Sequence, residues 1–375
     1  MKKERLLELD VMRGIAFLFI VLQHTIGGFS YRDDISFNNF IVSKFIYIGA
    51  ETGVELFIFL TAASLIYTYI NKFDIKDFYI KKLKFLVLPF VIWSIIIMIN
   101  NGQTLNVQSI LVIFTGDAQY HLWYMGMILR IYLYFPIILW ITKKVLKQNI
   151  YIKSGVFILL AYLYSYVLNH YGIAGFVIEH LFKNPSDLEK KLVNISPIFY
   201  YFYFVIGVYA ICNYKKFKEK VLKFKYLISV VYIITFGFYF YIAVTERYSL
   251  GLPVLKSSIE MSILYRTMSI LFFYLVSCII AEKFSIMLNI LTVISRYSFP
   301  AYLIHVMILN RLTLYVATGP HIIYYLRYFF MVSSISIAIS WLINYIPYSE
   351  YIIGVRSKFK FNTGYMPIHF KQIGQ

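Results

Sequence analysis

The sequence predicts an all-α, polytopic membrane protein with about ten transmembrane helices and both termini in the cytoplasm. Of its 375 residues, 60% are hydrophobic and only 14% are charged, whereas soluble domains are about 45–50% apolar and about 25% charged. The apolar residues also fall into runs of about 20, the length that an α-helix needs to span a bilayer. This composition excludes an ordinary soluble enzyme and a disordered chain.

Ten apolar runs are candidates for transmembrane helices. They cover residues 11–29, 45–70, 84–100, 120–141, 152–169, 195–212, 224–244, 263–281, 294–316 and 322–346. The first run contains two ionisable side chains and is followed by no small-residue cleavage site, so we interpret it as a helix and not as a signal peptide. A shorter run at 106–115 predicts a re-entrant or interfacial segment on the outer side.

The basic residues predict how these helices are oriented. Alternate connections carry 24 and 7 Lys or Arg side chains, and the richer set includes both ends of the chain. Cytoplasmic loops are the ones enriched in Lys and Arg, so both termini are predicted to be cytoplasmic. The net charge of +18 is then explained by basic residues that orient the helices and meet anionic lipid. A nucleic-acid partner is not needed to explain it. We divide the chain into a transmembrane domain, 1–350, and a basic cytoplasmic tail, 351–375.

Cysteine content and motifs limit the chemistry. The two cysteines, Cys212 and Cys278, lie in apolar runs, which predicts free buried thiols and no disulfide framework. The sequence contains no GxxxxGK[ST], GxSxG, HExxH or CxxC. We therefore expect no metal site, no tightly bound cofactor and no ATP-driven transport.

Charges inside an apolar helix are costly and need a partner or a function. In LELDVMRGIAFLFIVLQH, residues 7–24, Asp10 and Arg13 are three apart and can pair at the cytoplasmic end. Arg13 and His24 are eleven apart, which places both on one stripe of the helix, about 16 Å apart along its axis. Each alone has a structural alternative: Arg13 can snorkel to lipid phosphate, and His24 can bond a neighbouring helix.

Glu51 and Glu55 lie one turn apart near the outer end of the second predicted helix. Glu51 is expected to face outer water. Glu55 is expected at the depth of His24, where a carboxylate would hold the imidazole in one tautomer and raise its basicity, as a general base requires. We therefore predict that His24 and Glu55 are the catalytic pair.

The segment YIKKLKFLVLPF, residues 79–90, begins the third predicted helix. Lys81, Lys82 and Lys84 adjoin the cytoplasmic face, and Pro89 can kink the helix. The lysines serve as a positive-inside anchor and, in addition, as a cationic mouth for an anionic donor that carries phosphates.

Four further residues complete the candidate substrate-binding set with Arg13 and Asp10. These are His121, Trp123, Arg130 and His305. His121 can face an outer cavity, Trp123 suits an aromatic belt, Arg130 must face protein or water, and His305 lies near mid-membrane. Interhelical hydrogen bonds are the alternative to substrate contact for the histidines.

The stretch 7–24 resembles the opening of the acyltransferase-3 membrane family, whose first helix carries Leu-Asp-x-Leu-Arg-Gly-x-Ala and a histidine ten residues after the Gly. GVELFIFLTAAS (53–64), KKLKFLVLPF (81–90), HLWYM (121–125), YFYFVIGVYA (201–210) and SRYSFPAYLIH (295–305) are similar to later landmarks of that family in the same order. Met12 and Glu55 replace the usual Leu and Asp, and Thr61-Ala62-Ala63 replaces Ser-Gly-Phe.

The resemblance implies that acyl-CoA, most simply acetyl-CoA, is the donor, that Arg13 helps to hold it and that His24 is the catalytic histidine. It implies O-acylation of an envelope polysaccharide or a lipid-linked saccharide at the bacterial cytoplasmic membrane, beside polysaccharide-synthesis machinery. A polysaccharide exporter or flippase of the poly-N-acetylglucosamine adhesin type is the alternative. Loss of surface polymer, and not of its acyl groups, would distinguish that alternative.

Overall fold

The structure is a computed structural model that describes residues 4–248, 251–316 and 318–358. Within these ranges it contains helices and no strand. The helices are α1 Leu7–Ile26, α2 Phe37–Ala50, α3 Gly53–Tyr69, α4 Ile75–Lys82, α5 Leu88–Asn100, α6 Gln108–Thr115, α7 Trp123–Leu146, α8 Ile150–Asn169, α9 Gly172–Leu181, α10 Asp187–Asn194, α11 Tyr201–Cys212, α12 Tyr214–Lys223, α13 Lys225–Arg247, α14 Ile259–Lys283, α15 Ser285–Leu312, α16 Ile322–Ile343 and α17 Glu350–Ile353.

Nine helical segments of this described part are long and apolar enough to span a membrane. The all-α, polytopic membrane fold is therefore confirmed. The predicted tail, 351–375, lies outside the described residues from position 359 onward.

The tenth predicted span, 195–212, is not a continuous helix. It is a 3-10 turn, Pro197–Phe199, followed by the 12-residue α11. The Tyr201 hydroxyl donates to the carbonyl of Leu160 at 2.7 Å, halfway along α8. The interruption lies at Tyr200, whose backbone (φ −137°, ψ −4°) is not helical and separates the turn from α11. α11 therefore covers half of the bundle, and non-helical chain and α10 lead into it from the other half.

Two other predicted spans contain a break. The second is divided at Glu51–Thr52 into α2 and α3. The third contains a π-helical stretch, Leu83–Val87, between α4 and α5, with Pro89 at the start of α5. Pro89 has no backbone N–H to donate to the carbonyl four residues earlier, so one α-helical hydrogen bond is missing. The π-helical turn lies directly before this missing bond. The predicted segment 106–115 is the short helix α6.

Both described ends of the chain lie at the same end of the helical bundle. The carbonyl of Glu4 accepts a hydrogen bond from Tyr67, at the end of α3. Gly354 packs against the carbonyl of Phe85, next to the start of α5. We call this end the basic face, because α12 and its lysines lie there, and the opposite end the distal face. Which side of the membrane each face meets stays a prediction.

α1 and α3 form the centre of the bundle because glycines allow their neighbours to approach closely. A β-carbon on Gly14 would lie 2.7 Å from the carbonyl oxygen of Leu291, so α15 rests directly on α1. A β-carbon on Gly207 would lie 2.4 Å from the carbonyl oxygen of Phe59, so α11 rests on α3 in the same way. Small residues are what permits such packing between membrane helices, and they fix α1 against α15.

Candidate active site

Three histidines from three separate elements meet near the distal face. His24 lies in the last two turns of α1, His121 in the 3-10 turn Tyr120–Leu122, and His305 in α15. The ring centroids are 4.6 Å apart for His121 and His305, 5.3 Å for His24 and His305, and 6.0 Å for His24 and His121. His121 and His305 are buried, whereas His24 is half-buried. We call these residues the histidine cluster.

One backbone carbonyl fixes two of these rings. The carbonyl oxygen of Tyr302 accepts from His305 Nδ1 at 2.6 Å and from His121 Nε2 at 3.1 Å. The Tyr302 hydroxyl donates in return to the carbonyl of His121. Because a carbonyl only accepts, the hydrogens of both imidazoles are assigned to these nitrogens, and in the neutral rings the other nitrogens carry lone pairs.

The two remaining nitrogens, His121 Nδ1 and His305 Nε2, are buried and have no hydrogen-bond partner among the described residues. A buried polar atom without a partner is costly and uncommon. Both lie in rings that pack against His24. The cluster therefore places two unpaired acceptors beside His24, the most exposed histidine of the three.

Arg13 lies on the same helix as His24, toward the basic face. Its guanidinium donates from Nη1 to Asp10 at 3.1 Å and from Nη2 to Ser64 at 3.0 Å. This confirms the predicted pair between Asp10 and Arg13. Asp10 also accepts a hydrogen bond from Arg5 Nε at 2.6 Å, so its carboxylate pairs with two cations.

A cavity of about 190 Å³ begins at Arg13 and reaches Tyr302, which contacts the histidine cluster, although no histidine of the cluster lines it. Arg13 and Ser64 line it on one side, and Tyr302 and Tyr124 line it on the other. Its remaining walls are mainly apolar, among them Phe57, Leu60, Leu86, Met125, Ile128 and Phe299. The cavity thus extends from a cationic, hydrogen-bonding wall to the tyrosine whose carbonyl orients the histidine cluster.

The structure pairs Glu55 with Arg266 of α14 and not with His24. Glu55 Oε1 lies 3.0 Å from Arg266 Nε, and Glu51 lies 3.5 Å from the same guanidinium. Glu55 is 5% exposed, and a buried carboxylate takes the nearest cation to offset its lost hydration. The expected contact between the carboxylate and the imidazole is therefore corrected: the neighbours of His24 are histidines and Tyr120, whose ring centroid is 5.1 Å away.

Trp123 and Arg130 have partners outside the cluster. The Trp123 ring packs on Tyr200, with centroids 5.4 Å apart. Arg130 donates to the carbonyl of Leu192 at 2.6 Å, in the last turn of α10, where the carbonyls of a helix lack internal partners. Arg130 also faces the ring of Phe114. These contacts hold α10 and α6 against α7, and neither residue lines the cavity described above.

The three lysines of the third span do not converge. Lys81 pairs with Asp77 at 2.6 Å. Lys82 lies over the ring of Tyr132, with Nζ 4.3 Å from the centroid. Lys84 is exposed. Their predicted role toward donor phosphates stays a prediction.

Side-chain geometry also bears on metal binding. In the part of the chain that the structure describes, no group of three or more His, Cys, Asp or Glu side chains is arranged to hold a metal ion. In the histidine cluster, two of the six ring nitrogens are already directed at the Tyr302 carbonyl.

Comparison with known families identifies the family of the chain. A family model described as an acyltransferase domain matches residues 6–345. The chain belongs to the acyltransferase-3 family. It is a membrane acyltransferase, and the match covers every long helix, including the cavity and the histidine cluster. No curated protein sequence and no solved structure gave a significant match.

Sequence reasoning missed three residues that contact the predicted site residues: Arg266 beside Glu55, Tyr302 beside His121 and His305, and Ser64 beside Arg13. Arg266 was visible as a basic residue inside an apolar run, and two glutamates at a similar depth could have indicated its partner. Tyr302 is three residues before His305, on the same helical face, which is the spacing of the observed contact. Ser64 gave no signal, because a serine in an apolar helix normally bonds its own backbone.

Proposed function

We propose that this acyltransferase moves an acyl group, most simply acetyl, from acyl-CoA on the basic face to a sugar hydroxyl near the distal face. The acceptor we propose is an envelope polysaccharide or a lipid-linked saccharide at the bacterial cytoplasmic membrane. One observation carries the proposal. Arg13 and His24 lie toward opposite ends of a single helix, α1, and a mainly apolar cavity extends from Arg13 to Tyr302, whose carbonyl bonds the other two histidines of the cluster.

The donor end combines a cation with a narrow apolar chamber. Arg13 is held by Asp10 and Ser64, which are polar partners that an incoming phosphate or amide can replace. Guanidinium groups suit phosphate because they offer paired donors in one plane. The apolar walls near Phe57 and Leu86 suit the thioester arm. The small volume of this cavity, about 190 Å³, favours a short acyl group over a long chain.

At the distal end, His24 is proposed as the general base. The acceptor hydroxyl transfers its proton to His24 while its oxygen forms a bond to the thioester carbonyl carbon. The carbon–sulfur bond then breaks, and the departing thiolate takes up a proton from the imidazolium. A positioned base of this kind contributes about 10²–10⁴-fold to a rate.

His305 is proposed to orient this base. Two imidazoles joined by one hydrogen bond of about 2.8 Å have centroids roughly 5 Å apart, and the observed separation of His24 and His305 is 5.3 Å. A small rotation of the His24 ring would bring its N–H to the unpaired Nε2 of His305. The lone pair of His305 would then do for His24 what a carboxylate does in other general bases.

The test is a comparison of glycan acylation in cells that carry the native chain, His24→Ala or the control His170→Ala. His170 is an exposed distal-face histidine that bonds only its own helix, at the carbonyl of Tyr166. We expect His24→Ala to remove O-acyl groups from the purified envelope glycan, measured by mass, with protein still in the membrane. The control is expected to acylate normally.

Two outcomes would contradict the proposal. Normal acylation in His24→Ala would exclude His24 as the base. Loss of the surface polymer itself, with normal acyl content in what remains, would favour the exporter alternative, for which transport is the primary activity.

A further inference from the structure

A second cavity lies on the side of the bundle away from the active site. It has a volume of about 730 Å³ and is enclosed by α8, α11, α12, α13 and α14. We call it the rim groove. Its lining is almost wholly apolar, with residues such as Phe157, Phe202, Leu227 and Leu271. None of the residues that line it belongs to the histidine cluster or the Arg13 cavity.

Three of the helices that line the groove, α8, α13 and α14, are long and apolar enough to span the membrane, so the bilayer supplies the molecules that can fill it. Water in an apolar groove would leave hydrocarbon surface hydrated, at about 25 cal/mol per Å². A lipid chain fills the same space without that cost. Shape and polarity therefore favour one hydrocarbon chain as the occupant, and the charges at the two ends determine which lipid provides it.

The end of the groove at the basic face is cationic. Lys220 lines the groove, and Lys216 and Lys223 lie four residues before and three after it on α12, so all three share one helical stripe. All three are exposed, and no ion pair joins them to an acidic residue of the described chain. One lysine therefore lines this mouth of the groove, and two more that form no ion pair with the described chain lie on the same stripe beside it.

The opposite side of α12 is held to the protein. Tyr214 donates to Glu8, and Lys218 lies 3.2 Å from Glu8 and 3.2 Å from Glu282. Burial opposes the charge of Lys218, but the two carboxylates outweigh it and hold the pKa of the ammonium above its usual value. These bonds fix the rotation of α12, so the stripe that contains Lys220 is presented to the groove mouth.

The distal end of the groove is lined by an acidic residue, Glu260. Glu260 accepts from Ser165 Oγ at 2.9 Å and from Asn169 Nδ2 at 2.8 Å, which joins α14 to α8. Glu260 and Ser165 both line the groove. An anionic headgroup would meet a carboxylate here, whereas it would meet three lysines at the other end.

From this asymmetry we propose that the rim groove binds one acyl chain of an anionic phospholipid from the leaflet at the basic face. The headgroup phosphate lies at the stripe of Lys216, Lys220 and Lys223, and the chain extends toward Glu260. Basic pockets between membrane helices recognise anionic lipid headgroups through this combination of charge and apolar depth. The site is separate from the acyl-transfer site, and it does not depend on which acceptor that site uses.

The test is lipid binding by the purified, delipidated protein, observed by native mass spectrometry. Phosphatidylglycerol and phosphatidylcholine with the same acyl chains are the two probes. We expect phosphatidylglycerol to bind at least tenfold more tightly. The triple variant Lys216→Gln/Lys220→Gln/Lys223→Gln should lose this preference, because each lysine near an anionic headgroup contributes about a fivefold effect.

Two further variants locate the site. Lys143→Gln/Lys144→Gln/Lys147→Gln removes the same charge from the end of α7 and should keep the preference. Ala161→Phe, which fills the groove from α8, should weaken binding of both lipids. Equal affinity for the two lipids in the native chain, or unchanged binding in Ala161→Phe, would overturn the proposal. A doubled mass in place of bound lipid would assign the groove to a second copy of the chain.

Discussion

The two ends of the stripe on α1 are built in opposite ways. At the basic end, Arg13 is partly exposed and its hydrogen bonds are satisfied by Asp10 and Ser64. At the distal end, His121 and His305 are buried, held by one carbonyl, and each keeps an unpaired nitrogen. At the basic end the polar groups are hydrogen-bonded and accessible, whereas at the distal end the imidazole rings are held in place and two of their nitrogens lack partners.

This difference separates binding from chemistry. A guanidinium with polar side-chain partners can exchange them for a ligand at little cost, which suits reversible capture of an anionic donor. Buried polar atoms without partners are retained only where the surrounding structure holds them. Preorganised groups of this kind act on the charge that develops in a transition state. Changes at the two ends are therefore expected to affect different kinetic constants.

The largest expected effect concerns Glu55, which the sequence assigns to the distal end and the structure pairs with Arg266. Glu55→Gln leaves a partly buried guanidinium with Ser262 at 3.0 Å and, as its remaining carboxylate among the described residues, Glu51 at 3.5 Å. Removing one partner of a buried pair costs about 3–5 kcal/mol, and the remaining carboxylate reduces this to roughly 2–4 kcal/mol of unfolding free energy. Thermal unfolding of the purified protein measures the loss.

The matched control removes both charges together. Glu55→Leu/Arg266→Met should recover most of the lost stability, because the buried carboxylate and its guanidinium are removed together and Glu51, which loses the same cation, is 35% exposed and hydrated. Activity per folded molecule should change little in either variant. A Glu55→Gln protein of native stability that transfers no acyl group would instead place Glu55 in direct contact with the chemistry.

The sequence determined depth well, because apolar length and charge position measure distance along a helix. Apolar length identified nine of the spans, and helical periodicity placed Arg13 and His24 on one stripe and predicted the Asp10–Arg13 pair. Depth does not determine which side of a helix faces which neighbour. Glu55 was therefore assigned to His24, although α3 turns it toward Arg266.

The missing span has a related physical reason. Residues 195–212 have the hydropathy of a membrane helix, yet α11 begins only at Tyr201 and packs on α3 through Gly207. Protein contacts supply there the hydrogen bonds and apolar cover that a lipid-exposed helix must supply by itself. Hydropathy cannot distinguish the two situations, because both require apolar side chains.

The next effect tests how the histidine cluster orients its base. His305→Asn keeps a donor where Nδ1 meets the carbonyl of Tyr302 but removes the Nε2 lone pair. His305→Gln places an amide oxygen near the Nε2 position and gives up the Nδ1 contact. We expect kcat to fall about 10–100-fold in His305→Asn and less in His305→Gln, with KM for the donor unchanged, because the positioning of His24 is what each variant alters.

This pair of variants also distinguishes positioning from packing. If His305 only fills space, both variants should lose stability and activity together, with no advantage for His305→Gln. Steady-state kinetics with acyl-CoA and thermal unfolding on the same preparations separate these cases.

The smallest effect is expected at the basic end, where Arg13→Lys keeps the charge but not the planar pair of donors. A lysine cannot hold Asp10 and Ser64 while it also faces the cavity, and charge-assisted hydrogen bonds contribute about 1.5–3 kcal/mol each. We expect KM for acyl-CoA to rise about tenfold with kcat nearly unchanged. Arg5→Lys, which alters the other cation on Asp10, should leave both constants unchanged. A fall in kcat at constant KM would mean that Arg13 acts on the transition state, and the division between a binding end and a chemical end of α1 would then be wrong.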